Sequence, residues 1–305
     1  MSRWLALTAI VGTLIVSLVV AERRKAAAPV GAQALLTVVA NAERDATRIP
    51  ARVTRLSDAE EIEAGDRIAA GYAASRLGSE TPAAVSDAAA CVEGLGAHVA
   101  AWANRRIPYR FHLLADRNFV NAFAVPGGHV FIGAGLLAVM DSEDELAAVL
   151  GHEVAHIDDY HAAERLQTKR ALGTIPIAGV LAAIPVEILQ AGYSKEQELE
   201  ADRDGTALAV AGGYSPSGAV RMLDTFARRE PLPPAGRPAS PAREAGELAA
   251  GLLAGYFRSH PYAVERAAAI RRLSAERGWP SHRERPLASP CVPPLQSSGT
   301  GTTLP

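Results

Sequence analysis

The sequence predicts an α+β fold that is predominantly helical with one small β-sheet, and three observations carry that expectation. Ala-rich stretches with apolar residues at helical spacing fill most of residues 26–106 and recur from 142 onward. Three helix starts carry a Ser followed three residues later by Glu or Gln, namely Ser57 with Glu60, Ser142 with Glu145 and Ser194 with Gln197. That spacing lets side chain and backbone cap each other reciprocally. Between them, Tyr109 to Leu137 changes texture to short β-branched and aromatic runs, broken by Pro126-Gly127-Gly128, as in strands joined by a tight turn.

A chain of 305 residues, 49% of them apolar, can bury one substantial core, so one main domain is expected over residues 57–275. The net charge is −2 and the longest basic block is Arg23-Arg24-Lys25, which gives nucleic acid no electrostatic footprint.

In chain order, Trp4 to Ala21 carries no charge, and as a helix it would be about 27 Å long, near bilayer thickness. Residues 1–21 are therefore expected to be a signal peptide cut ahead of Glu22, or a single N-terminal membrane anchor. Residues 22–56 read as a linker and an N-terminal helix. After the first helices and the strand region, the acidic first turn at Glu143, Asp144 and Glu145 suits the dipole of a new helix. Leu172 to Leu189 is apolar but interrupted by Pro176, Pro185 and Glu187, so broken helices packed on the core are expected there. The helix from Ser194 should end at Gly212-Gly213, ahead of Pro216. A proline-rich insertion occupies about 230–247, and residues 276–305 form a Pro, Ser and Gly-rich tail in which little order is expected from Pro280 on. The two cysteines, Cys91 and Cys291, permit one disulfide in an oxidising compartment or are two unrelated small residues, and they exclude a cysteine-built zinc site.

The chemistry concentrates in AAVLGHEVAHIDDYH, Ala147 to His161. On a helix, His152 and His156 lie one turn apart on one face and can direct ring nitrogens at a single point about 2 Å away. Such a point suits Zn²⁺, one ion per chain. Glu153 falls beside that point, where it can hold a water molecule and take its proton. A helix whose histidines are merely hydrogen-bonded is the alternative. Yet Leu146, Val149, Leu150, Val154 and Ile157 make the helix apolar on nearly all sides, and burying two imidazoles and a carboxylate without partners is costly.

Hydrolytic zinc requires a third protein ligand and an open position. A metzincin spacing would place Gly at 159 and His at 162, where this chain has Asp159 and Ala162, and His161 misses the register by one and reads as a helix-end histidine. The better source is SKEQELEADRDGTALAVAGG. There Glu198 and Asp202 share a face, and Ala201, Gly205 and Ala209 are small enough for this helix to press against the first. Glu198 can ligate the ion, and Asp202 can accept the spare N–H of a ligating histidine and fix its tautomer. An acidic surface stripe is the other reading of this pair. Glu200 lies roughly 200° round from Glu198 and reads as solvated, like Glu196.

HExxH followed by Glu-x-x-x-Asp on a later helix resembles the gluzincin zinc metallopeptidases of family M48, which contains the CAAX prenyl protease. NAFAVPGGHVFIGAGLL at Asn121 to Leu137 is similar to the strand and turn ahead of that family's catalytic helix, and SHPYAVER at Ser259 to Arg266 to its later His-Pro...Arg element. The resemblance spans roughly Ser57 to Leu273.

It implies a zincin-like metallopeptidase domain with the small sheet beside the HExxH helix. His152, His156 and Glu198 become zinc ligands, Glu153 the general base, and Asp202 the group behind a ligand. His260 and Arg266 are implied near the active site, where a donor could stabilise an oxyanion; His260 could instead close the fourth zinc position in a resting state. Asn121, Ala122, Phe123 and Ala124 would form a sheet edge to which an extended substrate adds by backbone pairing. The implied function is a zinc-dependent endopeptidase of the bacterial cell envelope, periplasmic or anchored in the inner membrane through its N-terminal segment. It would act on unfolded or damaged exported and membrane proteins. The competing reading is a metal-regulated, chaperone-like binding protein with little or no hydrolysis. The chain departs from its relatives in lacking several long spans and tetratricopeptide repeats, and in its proline-rich insertion.

Overall fold

The computed structural model of the protein describes residues 56–76, 83–171, 193–229, 260, 262–288 and 291. The expectations for Trp4 to Ala21, for the linker through residue 55, for Leu172 to Leu189 and for the insertion at 230–247 fall outside these residues. Among the described residues no helix is long and apolar enough to cross a membrane.

The elements run α1 (Asp58–Arg76), α2 (Ala83–Ala100), β1 (Arg110–Leu114), β2 (Ala122–Val125), β3 (His129–Gly133), α3 (Ala134–Leu137), α4 (Glu143–Asp158), α5 (His161–Ala171), α6 (Lys195–Ala211), α7 (Pro216–Arg229) and α8 (Ala263–Arg277). The protein is thus mostly helical with one three-stranded sheet. All three capping boxes form: Glu60 N–H donates to Ser57 Oγ at 3.3 Å while the Glu60 carboxylate accepts from Ser57 N–H at 2.9 Å, and the same reciprocal pairs occur at Ser142 with Glu145 and Ser194 with Gln197.

The sheet order is β1-β3-β2, with β1 parallel to β3 and β2 antiparallel to it. The β2–β3 hairpin turns through Gly127 at φ 82° and Gly128 at φ 104°, left-handed values that a side chain resists. Strand alternation sorts the sheet's side chains onto two cores. Phe111, Leu113, Ala122, Ala124, Val130 and Ile132 join the large core shared with α2, α4, α7 and α8. Phe123, Val125 and Phe131 face α1, where the Tyr72 ring meets Phe131 and Phe123 edge-on at centroid distances of 5.2 and 5.5 Å.

Helix α4 runs through the middle of the domain, and every residue from Asp144 to Asp158 is buried. Both of its ends are fastened by charge. At the C-terminal end, Arg105 donates to the Ile157 carbonyl at 2.8 Å and to buried Glu61 at 2.7 Å, while Asp158 accepts the Asn104 and Arg105 backbone N–H groups at 3.0 and 2.7 Å. At the N-terminal end, Asp144 accepts from the backbone N–H of Ser215 at 2.6 Å and of Arg285 at 2.7 Å.

That second contact departs from the sequence expectation for the tail. Residues 281–288 lie along the start of α4: Glu284 accepts from Ser142 and Ser217 hydroxyls at 2.7 Å each, and Leu287 N–H donates to the Asp141 carbonyl at 3.0 Å. Cys291 then forms a disulfide with Cys91 of α2, with the Cα atoms 5.3 Å apart. Composition indicated low order because the segment forms no regular element of its own; its order comes from partners supplied by α2, α4 and α7.

Candidate metal centre

Helices α4 and α6 cross closely, and the crossing brings four side chains to one point. His152 Nε2 lies 3.0 Å from His156 Nε2. Glu198, from α6, places its carboxylate oxygens 3.5 Å from His152 Nε2 and 3.6 Å from His156 Nε2. The fourth is His260, whose Nδ1 is 3.1 Å from His152 Nε2 and 3.0 Å from Glu198 Oε1. One ligand atom from each of these buried residues lies within 4.8 Å of every other. The structure thus brings His152, His156 and Glu198 together at one point. Ala201, Gly205 and Ala209 are all buried in α6, as their small size anticipates.

Two groups stand behind these ligand atoms. Asp202 Oδ1 is 3.0 Å from His152 Nδ1, one helical turn from Glu198. Arg266, from α8, donates from Nε and Nη2 to the two Asp202 oxygens at 2.7 Å each, and its Nη1 reaches Glu198 at 2.8 Å and the His260 carbonyl at 3.2 Å. The guanidinium is only 1% exposed. Arg266 therefore braces the Asp202 and Glu198 carboxylates, and the oxyanion role implied by the resemblance does not fit this geometry, because these donors are directed at the two carboxylates and the His260 carbonyl.

Electrostatics follows from burial. Burial and the Arg266 charge both oppose protonating His152, but the Asp202 and Glu198 carboxylates outweigh them and push it up to about 9. Burial opposes ionising Glu198, yet His260, Arg266 and the two other imidazoles hold its carboxyl well below the usual range. Burial instead dominates at His156 and drives it well below an ordinary histidine. Buried imidazoles around a carboxylate held in its charged form are a donor set that a divalent ion would satisfy.

Glu153 is buried, and among the described residues neither carboxylate oxygen is hydrogen-bonded; the near group is His260 Nε2 at 3.3 Å from Oε1. A buried carboxylate held so weakly is costly to keep for structure alone. Asn121 precedes β2, and Ala122, Phe123 and Ala124 lie in it, at one edge of the sheet and beside α4. All four are buried.

Tyr193 and Arg165 were not considered in the sequence argument, and His161 and Glu200 were considered but not linked to His156. Tyr193 stacks on the His156 ring at 3.6 Å between centroids and 12° between planes, and Arg165 lies 3.5 Å over the Tyr193 ring. His161 Nδ1 is 3.1 Å from His156 Nδ1, and His161 Nε2 is 3.3 Å from Glu200 Oε2. His161 does stand at a helix end, as the first residue of α5, and the Glu200 side chain is 42% exposed, but the two are also joined to His156 by this link. His161 lies five positions after His156, which on one continuous helix would point them apart. The chain instead reverses at Tyr160, φ 64°, and starts α5 at His161. No local signal marks that reversal, since Tyr is an unusual residue for a left-handed backbone.

The chain is similar to several known proteins. The beta-barrel assembly-enhancing protease of Yersinia pestis is 30% identical over 156 residues, covering 45% of this chain and 32% of the relative. Mitochondrial metalloendopeptidase OMA1 of Schizosaccharomyces pombe is 34% identical over 127 residues, covering 39% and 37%. Metalloprotease LoiP of Escherichia coli K12 is 27% identical over 184 residues, covering 56% and 64%. The chain thus spans about a third of the length of the assembly-enhancing protease. Residues 88–274, which carry α4, α6, His260 and Arg266, match the model of one family across more than half of the chain, and the protein belongs to peptidase family M48.

Proposed function

We propose that the protein is a zinc-dependent metalloendopeptidase with a zincin-like catalytic domain over residues 57–275. The observation that carries this reading is the convergence of His152, His156 and Glu198 from two helices beside a buried carboxylate, Glu153, that has no hydrogen-bond partner among the described residues. His152 and His156 would hold the ion through Nε2 and Glu198 through its carboxylate, one Zn²⁺ per chain. A bound Zn²⁺ would supply Lewis acidity, polarising the peptide carbonyl and making water a nucleophile near neutral pH. Glu153 takes the proton of the attacking water and delivers it to the leaving amine. Asp202 holds the proton on His152 Nδ1, which keeps Nε2 free to ligate, and Arg266 keeps Asp202 in place.

His260 Nδ1 lies 3.1 Å from His152 Nε2 and 3.0 Å from Glu198 Oε1, so His260 would be a fourth residue able to hold a bound ion, and substrate entry would then require its withdrawal. An extended polypeptide adds along β2, from Asn121 to Ala124, by backbone pairing, which selects unfolded chains more than particular sequences. Its relatives' names, with the uncharged apolar run from Trp4 to Ala21, support a role in quality control of exported or membrane proteins in the bacterial envelope. There it is periplasmic, or held at the inner membrane through residues 1–21.

A site closed in this way would also favour a second reading, a metal-regulated chaperone-like protein that grips unfolded chains with little hydrolysis. One experiment separates them. Glu153→Gln should abolish cleavage of an unfolded casein while retaining stoichiometric zinc, and chelator should abolish cleavage by the wild type. A fully active Gln variant refutes the hydrolase mechanism; chelator-insensitive binding without cleavage establishes the second reading.

A further inference from the structure

Each histidine proposed to hold the ion has a second ring nitrogen, and α6 provides a carboxylate behind each. Behind His152 the link is direct, Nδ1 to Asp202 Oδ1 at 3.0 Å. Behind His156 it runs through another ring: His156 Nδ1 to His161 Nδ1 at 3.1 Å, then His161 Nε2 to Glu200 Oε2 at 3.3 Å. Glu198, Glu200 and Asp202 thus reach the same centre by three routes from one helix.

Hydrogen-bond chemistry fixes the protons along this second link. His156 turns Nε2 toward the ligand cluster, 3.0 Å from His152 Nε2 and 3.6 Å from Glu198 Oε1. For that nitrogen to offer a lone pair to a cation, the neutral ring must carry its proton on Nδ1. His161 must then accept at Nδ1, carry its own proton on Nε2 and donate to Glu200, where the chain ends on a carboxylate. Every donor meets an acceptor, and no other neutral arrangement leaves His156 Nε2 free. Tyr193, stacked on the ring, sets its plane, and the link to His161 sets its rotation within that plane.

We propose that His161 and Glu200 are positioning residues that hold His156 in the tautomer and orientation required to bind the metal. This rests on the metal reading above. Groups in such positions change metal affinity by roughly 10- to 100-fold when removed. Glu200 sits on the outer side of α6 with its side chain 42% exposed, so its removal leaves the core intact.

The test uses the full chain and Zn²⁺ competition against a chromophoric chelator, with the Co²⁺ absorption spectrum as a readout of ligand geometry. Asn at 161 keeps an acceptor oxygen where His161 has Nδ1 but severs the link to Glu200; Leu removes both. The expected order of affinity is wild type, then His161→Asn, then His161→Leu, with Glu200→Ala weakening Zn²⁺ binding about tenfold. In a His161→Asn background, Glu200→Ala should change nothing further. Equal affinity in wild type and Glu200→Ala, or an equal loss in both backgrounds, overturns the proposal. Should His161→Leu fail to fold, the Asn and Ala variants alone decide the matter. A wild-type chain that binds no Zn²⁺ defeats the metal reading and the relay together, whereas a binding wild type matched by Glu200→Ala defeats the relay alone.

Discussion

Gly151 and Gly205 touch backbone to backbone where α4 crosses α6: a β-carbon on Gly205 would stand 2.6 Å from the carbonyl carbon of Gly151, and one on Gly151 would stand 2.5 Å from the carbonyl oxygen of Gly205. Gly151 immediately precedes His152, so this contact sets how near Glu198 comes to the imidazoles. In an unpacked helix Gly→Ala is favourable by about 1 kcal/mol. Here Gly205→Ala should destabilise by about 1–3 kcal/mol, because backbone has to move. Denaturant unfolding reads the sign, and weakened zinc binding should accompany it; a stabilised variant would show that the helices are not in contact.

Removing Arg266 should be among the most damaging single changes. Its guanidinium pairs with the buried Asp202 and Glu198, and Arg266→Met would remove that cation from both. Breaking a buried pair this way costs about 3–5 kcal/mol. Arg266→Lys should recover only part, since an ammonium cannot engage both Asp202 oxygens in the paired geometry of Nε and Nη2. Unfolding midpoints of the metal-free proteins measure this.

The disulfide between Cys91 and Cys291 closes a loop of 200 residues. Loop-closure entropy for such a span predicts a stabilisation of about 5 kcal/mol, with measured values for native bridges usually about 2–5 kcal/mol. Reduction, or Cys91→Ala, should lower the thermal midpoint and expose the segment around Glu284 to proteases. An unchanged melting curve and digestion pattern would show that the Glu284 and Arg285 contacts hold the tail without the bridge.

Asp159 predicts a pH effect outside the metal centre. Burial, then the charges of Asp204, Asp158 and Glu200, push its carboxyl up from 3.8 to about 7. Its place at the C-terminal cap of α4 also sets a negative charge against the helix dipole. Between those two values the folded chain keeps a proton that the unfolded chain releases, so this contribution to stability falls as pH rises from about 4 to 7. Asp159→Asn should therefore be more stable than wild type above pH 7, by roughly 1 kcal/mol after solvent screening, and indistinguishable near pH 4. Urea titrations at the two pH values check it; a constant difference would remove ionisation as the cause.

The local patterns were strong enough to define the three capping boxes, the hairpin around Gly127-Gly128, the HExxH face of α4, and Glu198 with Asp202 on α6. Each is a feature of spacing along one element, and helix and strand geometry turn spacing into direction without reference to the rest of the chain. Tertiary structure decided what lies between elements: that His260 enters the ligand cluster, that Arg266 faces carboxylates, that the tail docks on α4 and Cys291 meets Cys91, and that His161 turns back onto His156. These depend on a chain reversal at Tyr160 and on the depth to which two glycines let helices approach. Such distances are set by packing among residues far apart in sequence, and no local periodicity carries them.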